Sequence, residues 1–207
     1  MPRNFVSLFG SGGDVLPAAE GGEPEIFRSD TFNRADTTNN IGTPSDAGSA
    51  WVALVNDWGI NGNAAYSPTF GNNGACYLES SQTDAVVEVT ISNKAGDGVG
   101  LVFRVVDSTN LYRLRCGRSG GGMDIQKVDG GGESIVGTEW VGTIATGDKV
   151  KVVLNGTTIE GWHFTSGAWN LRTSGTDAFN QTATKHGLFA QFADGARFED
   201  FSISEVP

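Results

Sequence analysis

Val99-Gly-Leu-Val-Phe-Arg-Val-Val-Asp-Ser-Thr-Asn-Leu-Tyr-Arg-Leu-Arg-Cys116 contains two alternating apolar runs on either side of a polar tetrad. In the first run Leu101, Phe103 and Val105 share one side, and Val102, Arg104 and Val106 share the other. In the second, Tyr112, Leu114 and Cys116 oppose Leu111, Arg113 and Arg115. A period of two belongs to the β-strand, whose successive side chains leave opposite faces of the pleat. Asp107-Ser-Thr-Asn110 is turn-forming, since short polar side chains bond their own backbone. The spacing predicts a β-hairpin that displays Arg104, Arg113 and Arg115 on one face.

The pattern extends in both directions. Upstream, Ala85, Val87, Val89 and Ile91 alternate with Val86, Glu88 and Thr90. Downstream, Met123 to Val128 is closed by Asp129-Gly-Gly-Gly132, and Lys149 to Leu154 and Thr158 to Phe164 flank Asn155-Gly156, a strong hairpin signal. Gly187 to Ala193 and Arg197 to Ile203 come next, joined at Asp194-Gly195. No run has the length and 3.6-residue spacing of a helix. About a dozen strands on short turns, without βαβ alternation, predict two stacked antiparallel sheets in one all-β domain over 27–207. Its core is expected from Trp51, Trp58, Val87, Leu101, Phe103, Tyr112, Leu114, Val152, Leu154, Leu188, Phe192 and Phe201.

Composition agrees, for 30 glycines in 207 residues favour turns over helices. A net charge of -10 repels phosphate backbones and anionic headgroups, which argues against nucleic acid as a partner. No stretch approaches the ~20 apolar residues of a membrane span, so no membrane insertion is expected. The opening residues are too broken by glycine for a signal-peptide core, and export by that route is not expected. Cys76 and Cys116 lack metal or redox spacing and read as buried thiols, with a disulfide as the alternative. Residues 1–26 differ from the rest in their prolines, glycine pairs and acids, and carry Phe5, Val6, Leu8, Phe9, Val15 and Leu16. They read as an anchoring arm, or as cover for an edge of their own sheet.

Catalytic patterns are absent from the sequence. The Glu-x-Asp-x-x-Glu strand that would bring two carboxylates to one face does not occur, and Glu23/Glu25 and Glu199/Asp200 read as solvated acids. His163 and His186 lack metal-ligand spacing, and no nucleophile elbow or phosphate loop is present. The chain is accordingly expected not to be an enzyme. Sugar rings stack on exposed aromatic faces while planar polar groups bond their hydroxyls, which makes Trp169, Trp162, Tyr66, Arg104 and Arg113 the candidate ligand-binding residues. Trp169, in the loop-like Ser166-Gly-Ala-Trp-Asn170, is the one most expected at the surface, although aromatics in a sandwich more often serve the core.

Residues 29–205 resemble the concanavalin A-like lectin/glucanase jelly roll, in the version found in actinobacteriophage minor tail proteins. The carrying features are Asp30-Thr-Phe-Asn-Arg-Ala-Asp36, Trp51, Trp58-Gly-Ile-Asn-Gly-Asn63, Gly100-Leu-Val-Phe-Arg104 with Asp107, Asn110 and Tyr112, Gly187-Leu-Phe-Ala190 and Phe198-Glu-Asp-Phe201, in that order. The resemblance implies a sandwich that binds glycans or decorates a particle. It also implies the one cofactor to consider, a structural calcium ion held by Asp30 and Asp200 where the first and last strands meet; the plainer reading is a turn cap and an exposed acid. On this reading the protein is a bacteriophage virion component, a minor tail protein made in the host cytoplasm. Its arm contacts other virion proteins, its domain faces host-envelope glycan, and it works as a homo-oligomer within the assembly. A stand-alone lectin module, a capsid-decorating protein and a glycosidase are the alternatives.

Overall fold

The computed structural model describes residues 23–69, 73–118, 121–191 and 195–207. Among them are the strands β1 (Ile26–Asp30), β2 (Val52–Val55), β3 (Gly59–Ile60), β4 (Ala65–Tyr66), β5 (Gly74–Glu79), β6 (Ala85–Asn93), β7 (Gly98–Asp107) and β8 (Asn110–Cys116). Then come β9 (Met123–Asp129), β10 (Gly132–Trp140), β11 (Lys149–Asn155), β12 (Thr158–Thr165), β13 (Ala168–Thr176), β14 (Lys185–Gln191) and β15 (Arg197–Ser204). They form two antiparallel sheets: an 8-stranded one ordered β13-β12-β11-β6-β15-β4-β3 with β1 beside β15, and a 7-stranded one ordered β10-β9-β8-β7-β14-β5-β2. The chain folds as the all-β sandwich that its alternation predicts. Residues 1–22, most of the segment read as an arm, lie outside the described residues.

Alternation places the core. Ala85, Val87, Val89 and Ile91 of β6 are fully buried, while Glu88 and Thr90 are half-buried on the outward side. Across from β6, Val150, Val152 and Leu154 of β11 point inward, and Asn155-Gly156 turns the chain into β12, with Gly156 at φ 56°. Every residue expected in the core is buried except Phe192, which falls outside the described residues. Phe103 and Tyr112 stack nearly parallel with centroids 5.4 Å apart. Cys76 and Cys116 are free thiols inside the same core, and burial pushes both thiols up from their ordinary pKa.

The β7–β8 hairpin forms, but strict alternation fails inside it. Arg104 adopts φ 48°, and the register shifts between Phe103 and Asp107. Arg104, Val105 and Val106 together face Leu111 alone, so strict alternation is lost across the bulge. Val105, expected beside Leu101 and Phe103, instead joins Val102 and Leu111 in a second apolar cluster on the outward side. Arg104 is fully buried, and its Nη2 donates to the Gly156 carbonyl of the opposite sheet at 2.6 Å. The predicted arginine face therefore keeps Arg113 and Arg115 and loses Arg104.

The edge strands β10 and β13, like the short β2 to β5, are not singled out by the sequence. β10 exposes most of its residues, so its apolar periodicity is faint, and β13 begins in what reads as a loop. They meet along one side of the sandwich: a Cβ on Gly137, at φ 78°, would lie 1.8 Å from the Ser174 carbonyl oxygen. Only glycine permits that approach. Thr173 Oγ1 donates to the Thr138 carbonyl at 2.5 Å and ties the two edges together.

Near β1 the buried Asp30 carboxylate accepts from Arg34 Nη1 and Nη2, each at 2.8 Å, from Trp51 Nε1 at 2.7 Å, from the Phe32 N–H at 2.8 Å and from Ser45 Oγ at 3.0 Å. Burial acts to raise its pKa, but these donors outweigh it and hold the carboxyl below its ordinary range. Replacing Asp30 with Ala strands the Arg34 fork and the Trp51 donor, and urea unfolding should show a loss of about 3 kcal/mol. A second prediction concerns His186, whose Nδ1 accepts the Arg104 N–H at 3.3 Å and whose ring Nε2 lies 3.0 Å from the Gln82 carbonyl oxygen. Burial is the main cause that lowers its pKa from 6.5 to about 4. The unfolded chain takes up this proton first, so stability is complete above about pH 6.5 and falls as pH drops toward 4. His186→Asn should flatten the slope of unfolding free energy against pH in that window.

Candidate functional site: an aromatic platform on the eight-stranded sheet

The outward side chains of β11, β12 and β13 converge on one patch. On β12, Ile159 and His163 are buried inward, which turns Glu160, Trp162 and Phe164 outward. β13 carries a second bulge: Gly161 pairs with Thr173 but Trp162 pairs with Leu171, leaving Arg172 as the extra residue. Trp169 and Leu171 thereby lie outward while Thr173, further along the same strand, points in. Trp169 is the second residue of β13, paired with Phe164, and not part of a loop; the turn is confined to Ser166 and Gly167. Trp169 meets Phe164 edge-on at 5.3 Å.

Lys151 of β11 joins the two tryptophans. Its Nζ lies 4.3 Å from the Trp169 ring centroid and 5.8 Å from that of Trp162. Trp162 Nε1 donates to Glu160 Oε2 at 3.1 Å, which fixes the indole edge. Beside this platform a groove of about 360 Å³ is lined by Val86, Lys151, Val153, Thr158, Glu160 and Trp162. Burial lowers the Lys151 pKa against the pull of Glu88, its cross-strand neighbour. Burial likewise raises that of Glu88 against the lysines. The surface thus combines indole faces with a partly desolvated ammonium and two carboxylates, a set that can stack an apolar ring face and bond hydroxyl groups around it.

The other candidates lie elsewhere. Tyr66 of β4 belongs to the opposite end of the same sheet, with Arg197 stacked over its ring at 4.5 Å. Arg113 is on the seven-stranded sheet, 5.0 Å over the Phe189 ring, and donates to Gln126 at 3.0 Å and Glu133 at 2.8 Å. Arg104 sits between the sheets. Only Trp162 and Trp169 come together. Lys151 and Glu160 escaped the sequence reading, although both occupy outward positions of alternating strands, and that parity was the signal available.

Asp30 and Asp200 do not fit a calcium ion. Both Asp30 oxygens are taken by protein donors, one of them an arginine, and Asp200 is exposed at φ 49° in a register break of β15. Among the described residues no group of three or more His, Cys, Asp or Glu could hold a metal. Adding millimolar calcium, or chelating it, should leave the melting temperature unchanged, as differential scanning calorimetry can check.

No protein-family model matches the chain, and none of the curated proteins does. Solved structures do. The carbohydrate-binding module CBM66 from Bacillus subtilis superposes with a TM-score of 0.58 at 19% identity, over 75% of this chain and 95% of that one. The GH43 protein BlXynB from Bacillus licheniformis gives 0.61 at 14% identity over 86% of this chain, which spans only 38% of BlXynB. The CBM2 module of the evolved Dit protein of Lactobacillus casei BL23 phage J-1 gives 0.50 at 14% identity, over 88% of this chain and 97% of the module. At these identities the likeness is one of architecture: the chain has a jelly-roll sandwich fold like theirs.

Proposed function

We propose that this protein is a non-catalytic, lectin-like module that binds carbohydrate on the platform of Trp162 and Trp169, with Lys151 and Glu160 bonding the sugar hydroxyls. The observation that carries this reading is the convergence of two outward indoles, a lysine and an acid beside an open groove. A sugar presents one apolar C–H face and a rim of hydroxyls, and the platform offers the complement of both. The fold shared with carbohydrate-binding modules supports it. Glu160, the acid that lines the groove, is engaged by the Trp162 indole, which favours binding over hydrolysis.

The setting we propose is a bacteriophage virion, where the protein serves as a minor tail component that faces host-envelope glycan. The likeness to a phage Dit module supports this, together with the sequence resemblance to tail-protein modules. Residues 1–26 then contact neighbouring virion proteins, in a homo-oligomeric arrangement.

The test is a glycan array of host-envelope polysaccharides and oligosaccharides, arabinotriose and xylo-oligosaccharides among them, with calorimetry on the hits. Trp162→Ala and Trp169→Ala should each weaken binding at least about ten-fold, while Tyr66→Ala leaves it unchanged. Wild-type protein that binds no sugar on the array, or binding that survives the loss of both tryptophans, refutes the assignment.

A further inference from the structure

The Trp162/Trp169 platform continues into the groove of about 360 Å³ beside it. Trp169 pairs with Phe164, which stands two residues from Trp162 on β12. Trp162 in turn pairs with Lys151, two residues from Val153 on β11, and Val153 pairs with Val86 of β6. Val153 alternates with the core residues Val152 and Leu154, and Val86 with Ala85 and Val87, so both share the outward side with the indoles. One apolar stripe therefore runs obliquely over four neighbouring strands. Val86 and Val153 belong to the groove, where Val206 and Pro207 join them, while Asn155, Thr158 and Glu160 supply polar groups. Among the described residues no hydrogen bond engages the Lys151 ammonium, the Asn155 amide or the Thr158 hydroxyl.

From this continuity we infer that the ligand is a neutral, linear oligosaccharide of at least three units, laid obliquely across β13, β12, β11 and β6, and not a single sugar. The inference rests on the carbohydrate reading of the platform and names the ligand class for that site. Length is the first argument. Diagonal neighbours on adjacent strands stand about 7–8 Å apart and direct pairs about 5 Å, so the stripe from Trp169 to Val86 measures roughly 20 Å. A sugar ring is about as wide as one strand spacing of ~4.8 Å, so a ring stacked on either indole leaves the valine half of the stripe bare. Volume agrees, since the groove falls in the ~300–1,000 Å³ range of pockets that enclose drug-sized ligands, which are larger than one ring. Charge selects a neutral chain, because the ionisable side chains that line the groove, Lys151 and Glu160, are of opposite sign. The unengaged Asn155 and Thr158 groups lie where later units pass, and ring hydroxyls can take the place of water on them.

Nuclear magnetic resonance of the whole chain follows the two halves of the stripe separately. The Trp162 and Trp169 indole N–H signals report the platform, and the backbone amides of Val153 and Val86 report the groove. The titrants are xylose, arabinose, glucose, galactose and rhamnose, each with its linear oligomers of up to six units. In at least one series the monosaccharide should move the indoles alone, whereas oligomers of three units or more should also move Val153 and Val86 and bind at least about ten-fold more tightly. Asn155→Ala combined with Thr158→Ala removes two exposed side chains. It should abolish most of that gain and leave the indole response to the shortest member of the series as it was. Equal affinity for monomer and hexamer, or shifts confined to the indoles at every length, overturns the extended site and leaves the platform standing. A gain with length that survives the double substitution overturns it too. A response at Val153 and Val86 that persists when both tryptophans are replaced by Ala overturns the oblique stripe together with the platform, as does silence in every series.

Discussion

Two pleated sheets can stack only when every strand sends its apolar side chains to the same side, so parity is the constraint on which this molecule depends. Parity is kept through β6, β8, β11 and β12, and broken in β7 and β13 among other strands. The β7 break holds Arg104 and the β13 break holds Arg172, and each of these residues finds work across the sandwich. Arg104 crosses to the turn of the β11–β12 hairpin, and Arg172 stacks on Trp140.

The second bulge is also what builds the platform. A strictly alternating β13 would carry Trp169, Leu171, Thr173 and Gly175 on one side. With Arg172 looped out, Trp169 and Leu171 face solvent while Thr173 and Gly175 turn to meet β10. One strand thereby does two jobs: it presents an indole beside Trp162 and seals the edge where the sheets approach. A bulge next to a binding surface re-aims side chains without altering the sheet around it.

Two polar groups inside the sandwich, the Asp30 carboxylate and the His186 ring, are saturated. Asp30 is surrounded by donors that join β1 to the Trp51 region, and His186 remains neutral between the Arg104 N–H and the Gln82 carbonyl. Such clusters cost folding energy if a partner is missing and define one packing when all are present. They also show why a carboxylate in the right place is not a metal site: its lone pairs must be free as well as near.

The sequence by itself determined the fold class, the hairpins at Asp107–Asn110 and Asn155-Gly156, and a set of core positions that are buried wherever they are described, because alternation and turn chemistry are local and act within a few residues. It also singled out Trp162 and Trp169, though not their partnership. Bulges are decided by tertiary packing, since a strand gains or loses a residue only to satisfy the sheet it faces. For that reason the burial of Arg104, the strand position of Trp169, the edge strands β10 and β13, and the meeting of Lys151 with both indoles became visible only in three dimensions. Side chains from β11, β12 and β13 form a surface because adjacent strands place them within a few ångströms, a distance no linear spacing records.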